Sequence, residues 1–221
     1  MIISGIRYSN LNDRIDAEYY QPRYLEIERL LDSVETVAIS DVCDVSDLRY
    51  DPAKEPETLF RYIEIENVDP ITGWIQTQEI KGAEAPSRAR KIVRVDNVIV
   101  STVRPSRRIV GLVDKELDGS LCSTGFCVLI PRKTNPYMLF CLMKTSLVTN
   151  QLVRRTMASM YPVVTETDIL KVRIPSSVLE TPKKGEISRL IKQTRELGKL
   201  SLDKLAIAFR ILEDLTKKQS P

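Results

Sequence analysis

The hydrophobic pattern changes character twice along the chain. A polar opening, Asp16-Ala17-Glu18-Tyr19-Tyr20-Gln21, leads into Pro22, which suits a first helical turn because its fixed φ is already helical. Tyr24, Ile27, Leu30 and Leu31 then share one face, predicting a helix over 22–32. From Val37 to about Pro175 the period shortens. Arg61 through Val68 alternates apolar and polar positions; Asp69-Pro70 and Thr72-Gly73 break the run, and Trp74-Ile75-Gln76 resumes it. Further β-rich runs fall at 91–95, 98–103, 109–113 and 125–130, with Asp96-Asn97 as a turn. Asn135-Pro136 opens a helix over 137–144, and a second follows at about 147–157.

Beyond Pro175 the pattern changes again. No proline interrupts 186–218, and Gly198, the one glycine in that span, is what weakens a helix there. A helix of this length spans about 48 Å at ~1.5 Å per residue. Its apolar positions form two registers, Ile187, Leu190, Thr194, Leu197 and Ser201, then Leu202, Leu205, Phe209 and Leu212. That is a coiled-coil-like seam with a stutter. It needs a partner: either the chain's own first helix or a second chain. The fold class is therefore α+β, a curved sheet with flanking helices over 1–176, followed by a long helical region over 177–221.

Charge refines this picture. The 221 residues carry 33 Lys+Arg against 30 Asp+Glu, a net +3 too small to argue from. Its distribution is uneven. The stretch 36–85 is acidic, whereas 86–108 holds seven basic side chains (Arg88, Arg90, Lys91, Arg94, Arg104, Arg107 and Arg108) against Asp96 alone. Arg's planar fork matches phosphates and guanine edges, so this block is a candidate nucleic-acid footprint.

Candidate chemistry is sparse. The chain has no histidine, which excludes Ser-His-Asp and Cys-His nucleophile systems and His-ligated zinc. Cys43, Cys122, Cys127 and Cys141 form no C-x-x-C pair and read as buried free thiols. Thr134-Asn135-Pro136-Tyr137 has the flavour of a methyltransferase loop but opens a helix, and reads as an N-cap. Glu64-Ile65-Glu66 puts carboxylates on one strand face without the lysine a metal-dependent nuclease wants. Only eight glycines are present and none forms a phosphate loop. No apolar run reaches transmembrane length and no secretory leader opens the chain, so a cytoplasmic binding protein is expected.

The order of segments resembles one half of a specificity subunit of type I restriction–modification systems. The resemblance rests on Asp16-Ala17-Glu18-Tyr19-Tyr20-Gln21-Pro22, Tyr62 through Val68 with Gly73, Asp96 through Pro105, and Ser123-Thr124-Gly125-Phe126. It continues through Pro136-Tyr137-Met138, Met160-Tyr161-Pro162, and Ile169-Leu170 ending at Ile174-Pro175, before the long helix. Ser159 stands where the family has glycine, the second proline after Pro175 is missing, and the helix opening is reduced to Gly185-Glu186-Ile187. Complete subunits carry two target recognition domains and two such helices; here there is one of each.

The resemblance implies a single target recognition domain that reads double-stranded DNA in the major groove and performs no catalysis. It implies docking to methyltransferase subunits, which bind S-adenosylmethionine, and to a restriction subunit. The chain itself would bind no cofactor and no metal. Homodimerisation through Ile187, Leu190, Leu197, Leu205, Phe209 and Leu212 would supply the second half. The DNA-binding candidates are Arg88, Arg90, Lys91, Arg104, Arg107 and Arg108 as a set, Ser123 and Thr124 at a strand start, Arg154 and Arg155 as a second cluster, and Tyr161. A recognition module of a fused restriction enzyme or methyltransferase, and a scaffold that binds only protein, are the alternatives.

Overall fold

The computed structural model describes Leu11, residues 14–156 and residues 160–217; within the last helix, side chains past Ser201 are described only for Lys204, Ile207 and Arg210. The chain divides into two compact units, one ending at Glu180 and one beginning at Thr181.

In the first unit, α1 (Pro22–Asp32) starts on its proline and buries Tyr24 and Leu31. Two four-stranded sheets follow, where the sequence suggested one curved sheet. One contains β2 (Cys43–Val45), β9 (Phe126–Pro131), β6 (Val98–Ser101) and β7 (Val110–Leu112), in that order. All its pairings are antiparallel. The other orders β4 (Gln78–Lys81), β3 (Leu59–Ile63), β8 (Leu121–Ser123) and β5 (Ala89–Ile92), with β3 and β8 parallel. A third pair joins β1 (Thr36–Ala38) to β10 (Arg173–Pro175), tying the two ends of the β region together.

Ile63, Val93, Ile99, Cys122, Phe126 and Val128 form a core that draws on both four-stranded sheets. Tyr62, Ala89 and Leu121 anchor a second cluster, with Tyr50, Phe60 and Ile80 against it. The helix α2 (Pro136–Lys144) packs on β6 and β7 through Met138, Leu139, Phe140, Leu142 and Met143. Asn135 caps it, its side chain accepting from Met138 N at 2.9 Å, so Thr134–Tyr137 is a helix start. Phe140 also explains Gly73. That residue has φ +70°, and a Cβ there would lie 2.4 Å from the Phe140 ring.

The sequence pattern and the fold part at Glu64. The alternating run suggested a strand through Val68, but β3 ends at Ile63 and Ile65–Asn67 is a 3₁₀ turn. Asn67 causes the break: its side-chain oxygen accepts from Glu64 N at 2.7 Å, a local bond that competes with a ladder. Trp74–Gln76 likewise makes only one bridge, Val68 to Ile75, and the strand proper forms later as β4.

The second helix of the α region, α3 (Ser146–Arg155), starts on a Thr145 cap. The short helices α4 (Glu166–Leu170) and α5 (Ser176–Leu179) flank β10. The second unit is one helix, α6 (Lys184–Lys217), of 34 residues. Leu190, Leu197, Leu200 and Ile207 are all at least half exposed on it. Ile187 is half-buried, and the side chains of Leu205, Phe209 and Leu212 lie outside the described residues. Among the described residues, no helix is long and apolar enough to cross a membrane.

Candidate nucleic-acid interface

Four segments remote in sequence are sewn into one rim by main-chain hydrogen bonds. Thr124 N donates to Arg88 O at 2.9 Å, joining the β8–β9 turn to the start of β5. Gly125 O then accepts from Thr102 N at 2.8 Å and from Thr102 Oγ1 at 2.9 Å. Val164 N donates to Thr102 O at 2.9 Å, and Arg104 N donates to Pro162 O at 2.8 Å. Val103 and Val163 pair as an antiparallel bridge between them. The arginine block is thereby held beside Met160-Tyr161-Pro162, some sixty residues away along the chain.

The exposed face of this rim is cationic with an apolar tip. Arg88, Thr124, Arg107 and Arg108 are exposed, and Arg104 is half-exposed. The Arg104 guanidinium carbon lies 5.0 Å from the centre of the Tyr161 ring, a cation–π stack. Met160 is 88% exposed, Tyr161 63% and Val163 54%. No salt bridge among the described residues engages Arg88, Arg104, Arg107 or Arg108. Exposed, uncompensated guanidiniums around an aromatic platform suit phosphates, base edges and base faces together.

The turn that carries three of these arginines is strained. Arg104 and Arg108 have φ +49° and +54° and flank a 3₁₀ turn, Pro105–Arg107. A left-handed conformation costs a non-glycine residue about 1–2 kcal/mol. Glycine at 108 relieves that cost while removing the cation. Arg108→Gly is therefore expected to leave the thermal midpoint unchanged or slightly raised while weakening DNA binding. Differential scanning fluorimetry beside a binding titration checks both halves. Arg108 also faces the end of α2: burial lowers the pKa of Lys144, Arg108 adds to the lowering, and Asp69 opposes it.

Other candidates from the sequence are placed elsewhere. Lys91 is not at the surface: its residue is 4% exposed, and Nζ donates to Phe126 O and to Glu166 Oε1. Ser123 is buried too, its Oγ accepting from Gly125 N at 3.2 Å, so it shapes the turn that presents Thr124. Arg90 is half-buried and pairs with Asp51 at 3.3 Å. Arg154 turns toward α1. It pairs with Glu28 at 3.0 Å, donates to Tyr19 O at 3.0 Å, and its guanidinium stacks 4.1 Å from the Tyr19 ring centre. Arg155 donates to Lys171 O at 3.2 Å. Arg14 stacks on Tyr19 at 4.8 Å, so the pair Arg14 and Arg154 locks the opening segment against α3. The second arginine cluster is thus an internal brace. Met160, Val163 and Thr102 join this rim although none is among the DNA-binding candidates of the sequence; Met160 and Thr102 lie within the quoted motifs, and Val163 directly follows Tyr161-Pro162.

Three of the four cysteines are buried and Cys141 is half-buried; all four are free. Burial pushes the Cys43 and Cys122 thiols up to about 12, which keeps them protonated and unreactive at neutral pH. Among the described residues, no group of three or more acidic or cysteine side chains gathers to hold a metal.

Comparison with solved structures decides the family. A chain from a structure of complex assembly and conformational transition in the type I R-M system aligns at 33% identity and TM-score 0.63, over 85% of this chain. The HsdS subunit from Thermoanaerobacter tengcongensis aligns at 34% identity and TM-score 0.60, over 81% of this chain. The chain belongs to the type I restriction–modification specificity subunits. The S subunit from M. genitalium, at 16% identity and TM-score 0.51 over 90% of the chain, shares the fold. This chain spans about half the length of these relatives, 49%, 46% and 49%. No protein-family model and no curated protein matches it.

Proposed function

We propose that the chain reads double-stranded DNA as the specificity component of a type I restriction–modification system and carries out no chemistry itself. The observation that carries this reading is the rim: Arg88, Thr124, Arg104, Arg107, Arg108 and Tyr161 meet on one edge, and no salt bridge among the described residues engages the four arginines. As a set, these arginines would divide between phosphate contacts that set register and forks presented to base edges. Methyltransferase subunits carrying S-adenosylmethionine, and a restriction subunit, would supply the chemistry. The test is methyl transfer from labelled S-adenosylmethionine to DNA. The purified chain alone is expected to transfer none and to direct transfer when modification subunits are added. Transfer by the chain alone would make it a catalytic module.

The α6 helix supports a second element of the proposal. Leu190 and Leu197 are one heptad apart, as are Leu200 and Ile207, and all four are exposed. Such a stripe is stable in water when another helix covers it. A second copy, antiparallel, would make an isologous pair and present two recognition units in inverted orientation. The separation of the half-sites would then be about one to one and a half DNA turns, ~34 Å per turn. Leu197→Asp is expected to convert a dimer to a monomer in analytical ultracentrifugation. A dimer that survives the substitution places the interface elsewhere.

A further inference from the structure

Lys91 is the one charged side chain buried among the described residues, and it bonds to Phe126 and Glu166, next to two of the segments that form the arginine rim. We infer that Lys91, with Glu166, is a positioning strut that sets the register of the Met160–Val163 loop against the arginine edge. It would govern sequence selectivity without touching DNA. This deepens the DNA-reading proposal and rests on it.

The geometry is specific. Lys91 lies in β5, whose inward positions are Ala89 and Lys91. Its Nζ donates to the carbonyl of Phe126 at the start of β9, and to Glu166 Oε1 at 2.5 Å. Phe126 follows Gly125, the residue whose carbonyl holds Thr102. Glu166 is the first residue of α4, just beyond Val164, the residue whose amide holds the other side of Thr102. One ammonium therefore spans two of the segments that make the rim, from beneath. Asp168, on the same helix as Glu166, is occupied with the Thr165 cap, so Glu166 is the carboxylate left to reach inward.

A packing role alone does not explain this choice. Sinking a lysine into a β-sheet core costs desolvation, and an apolar side chain of equal length fills the same space without it. What the ion pair adds is direction. The Glu166 carboxylate has one place to go, and the loop leading into α4 is pulled to one height relative to Arg104. At that height Arg104 stacks on Tyr161, its guanidinium carbon 5.0 Å from the ring centre.

The test is selection from a randomised DNA duplex pool by the full 221-residue chain, comparing the parent, Lys91→Met and Glu166→Gln. Methionine keeps the length and removes the ammonium; glutamine keeps an acceptor oxygen. Lys91→Met is expected to lose about tenfold in enrichment of the parent's preferred sequence, the scale of one base contact misplaced. Its affinity for unselected DNA and its salt slope are expected to stay at the parent's values, because the arginines remain. Glu166→Gln is expected to fall between the two. Hydrogen exchange should speed up at the amides of Val164 and Thr165, both hydrogen-bonded in the parent, in Lys91→Met. A folded Lys91→Met that enriches the same sequence to the same degree overturns the strut. So does a parallel fall in selective and unselective affinity, which marks simple destabilisation. If Lys91→Met does not fold, Glu166→Ala carries the same comparison from the half-exposed end. A parent that enriches nothing overturns the DNA-reading proposal instead; exchange at 164 and 165 then decides the strut alone, unchanged protection refuting it.

Discussion

Replacing Arg104, Arg107 and Arg108 together with alanine should weaken DNA binding roughly a hundredfold near 0.1 M salt and flatten its salt dependence. Each neutralised phosphate contributes about 0.9 to the slope of log K against log salt. Removing three guanidiniums should therefore lower the slope by about 2–3, less whatever portion of the set reads bases. The fold should tolerate the change: Arg107 and Arg108 are exposed, and no salt bridge among the described residues is lost. The control is Arg154→Ala. Arg154 braces Tyr19 and Glu28, so this variant should lose stability and leave the salt slope where it was. Fluorescence anisotropy at four or five salt concentrations separates the two behaviours. A triple variant that binds like the parent across that range places the interface off this rim.

The largest expected effect on stability is Phe126→Ala. The ring is fully buried in the cluster that both four-stranded sheets share. Its loss leaves a cavity between them, and phenylalanine-to-alanine changes in cores cost about 3–5 kcal/mol. That is a large part of the ~5–15 kcal/mol typical of a whole domain. The same residue supplies the carbonyl that Lys91 holds and pairs with Ser101 in the β6–β9 ladder. Denaturant unfolding should thus show a midpoint shift toward lower urea. The transition should remain cooperative for the first unit, since both sheets rest on one core. A Phe126→Ala chain unfolding within about 1 kcal/mol of the parent would mean the sheets do not share a core.

Much of the α-helical layer was legible in the sequence because caps and periodicity act locally. Pro22, Asn135-Pro136 and Thr145 start helices as their chemistry dictates. The strands β6, β7 and β9 were visible as β-rich runs. The strands β1, β2 and β10 are three residues each, too short for a period to register. Gln78-Glu79-Ile80-Lys81 is a strand with no fully buried position, so it carries no hydrophobic signature at all.

The candidate site was legible as a set and not residue by residue. Counting charge located the arginine block but could not say which way each side chain points. For Lys91 the direction was in the pattern: Ala89 and Lys91 share the inward phase of β5, and Ala89 and Val93, two residues to either side, are fully buried. For Arg154 the clue was Gln151, three residues earlier on α3 and nearly buried. Nothing local announced the left-handed backbone at Arg104 and Arg108. No glycine or asparagine occupies either position, and the bonds that hold this edge come from Gly125, Pro162 and Val164.

The most direct test of the central claim is to expose the parent chain to a randomised duplex pool, recover bound DNA at rising salt, and sequence it. One sequence should be enriched as salt rises, while unselected binding fades steeply. Recovery of a pool as random as the input, at every salt concentration where binding occurs, would contradict it.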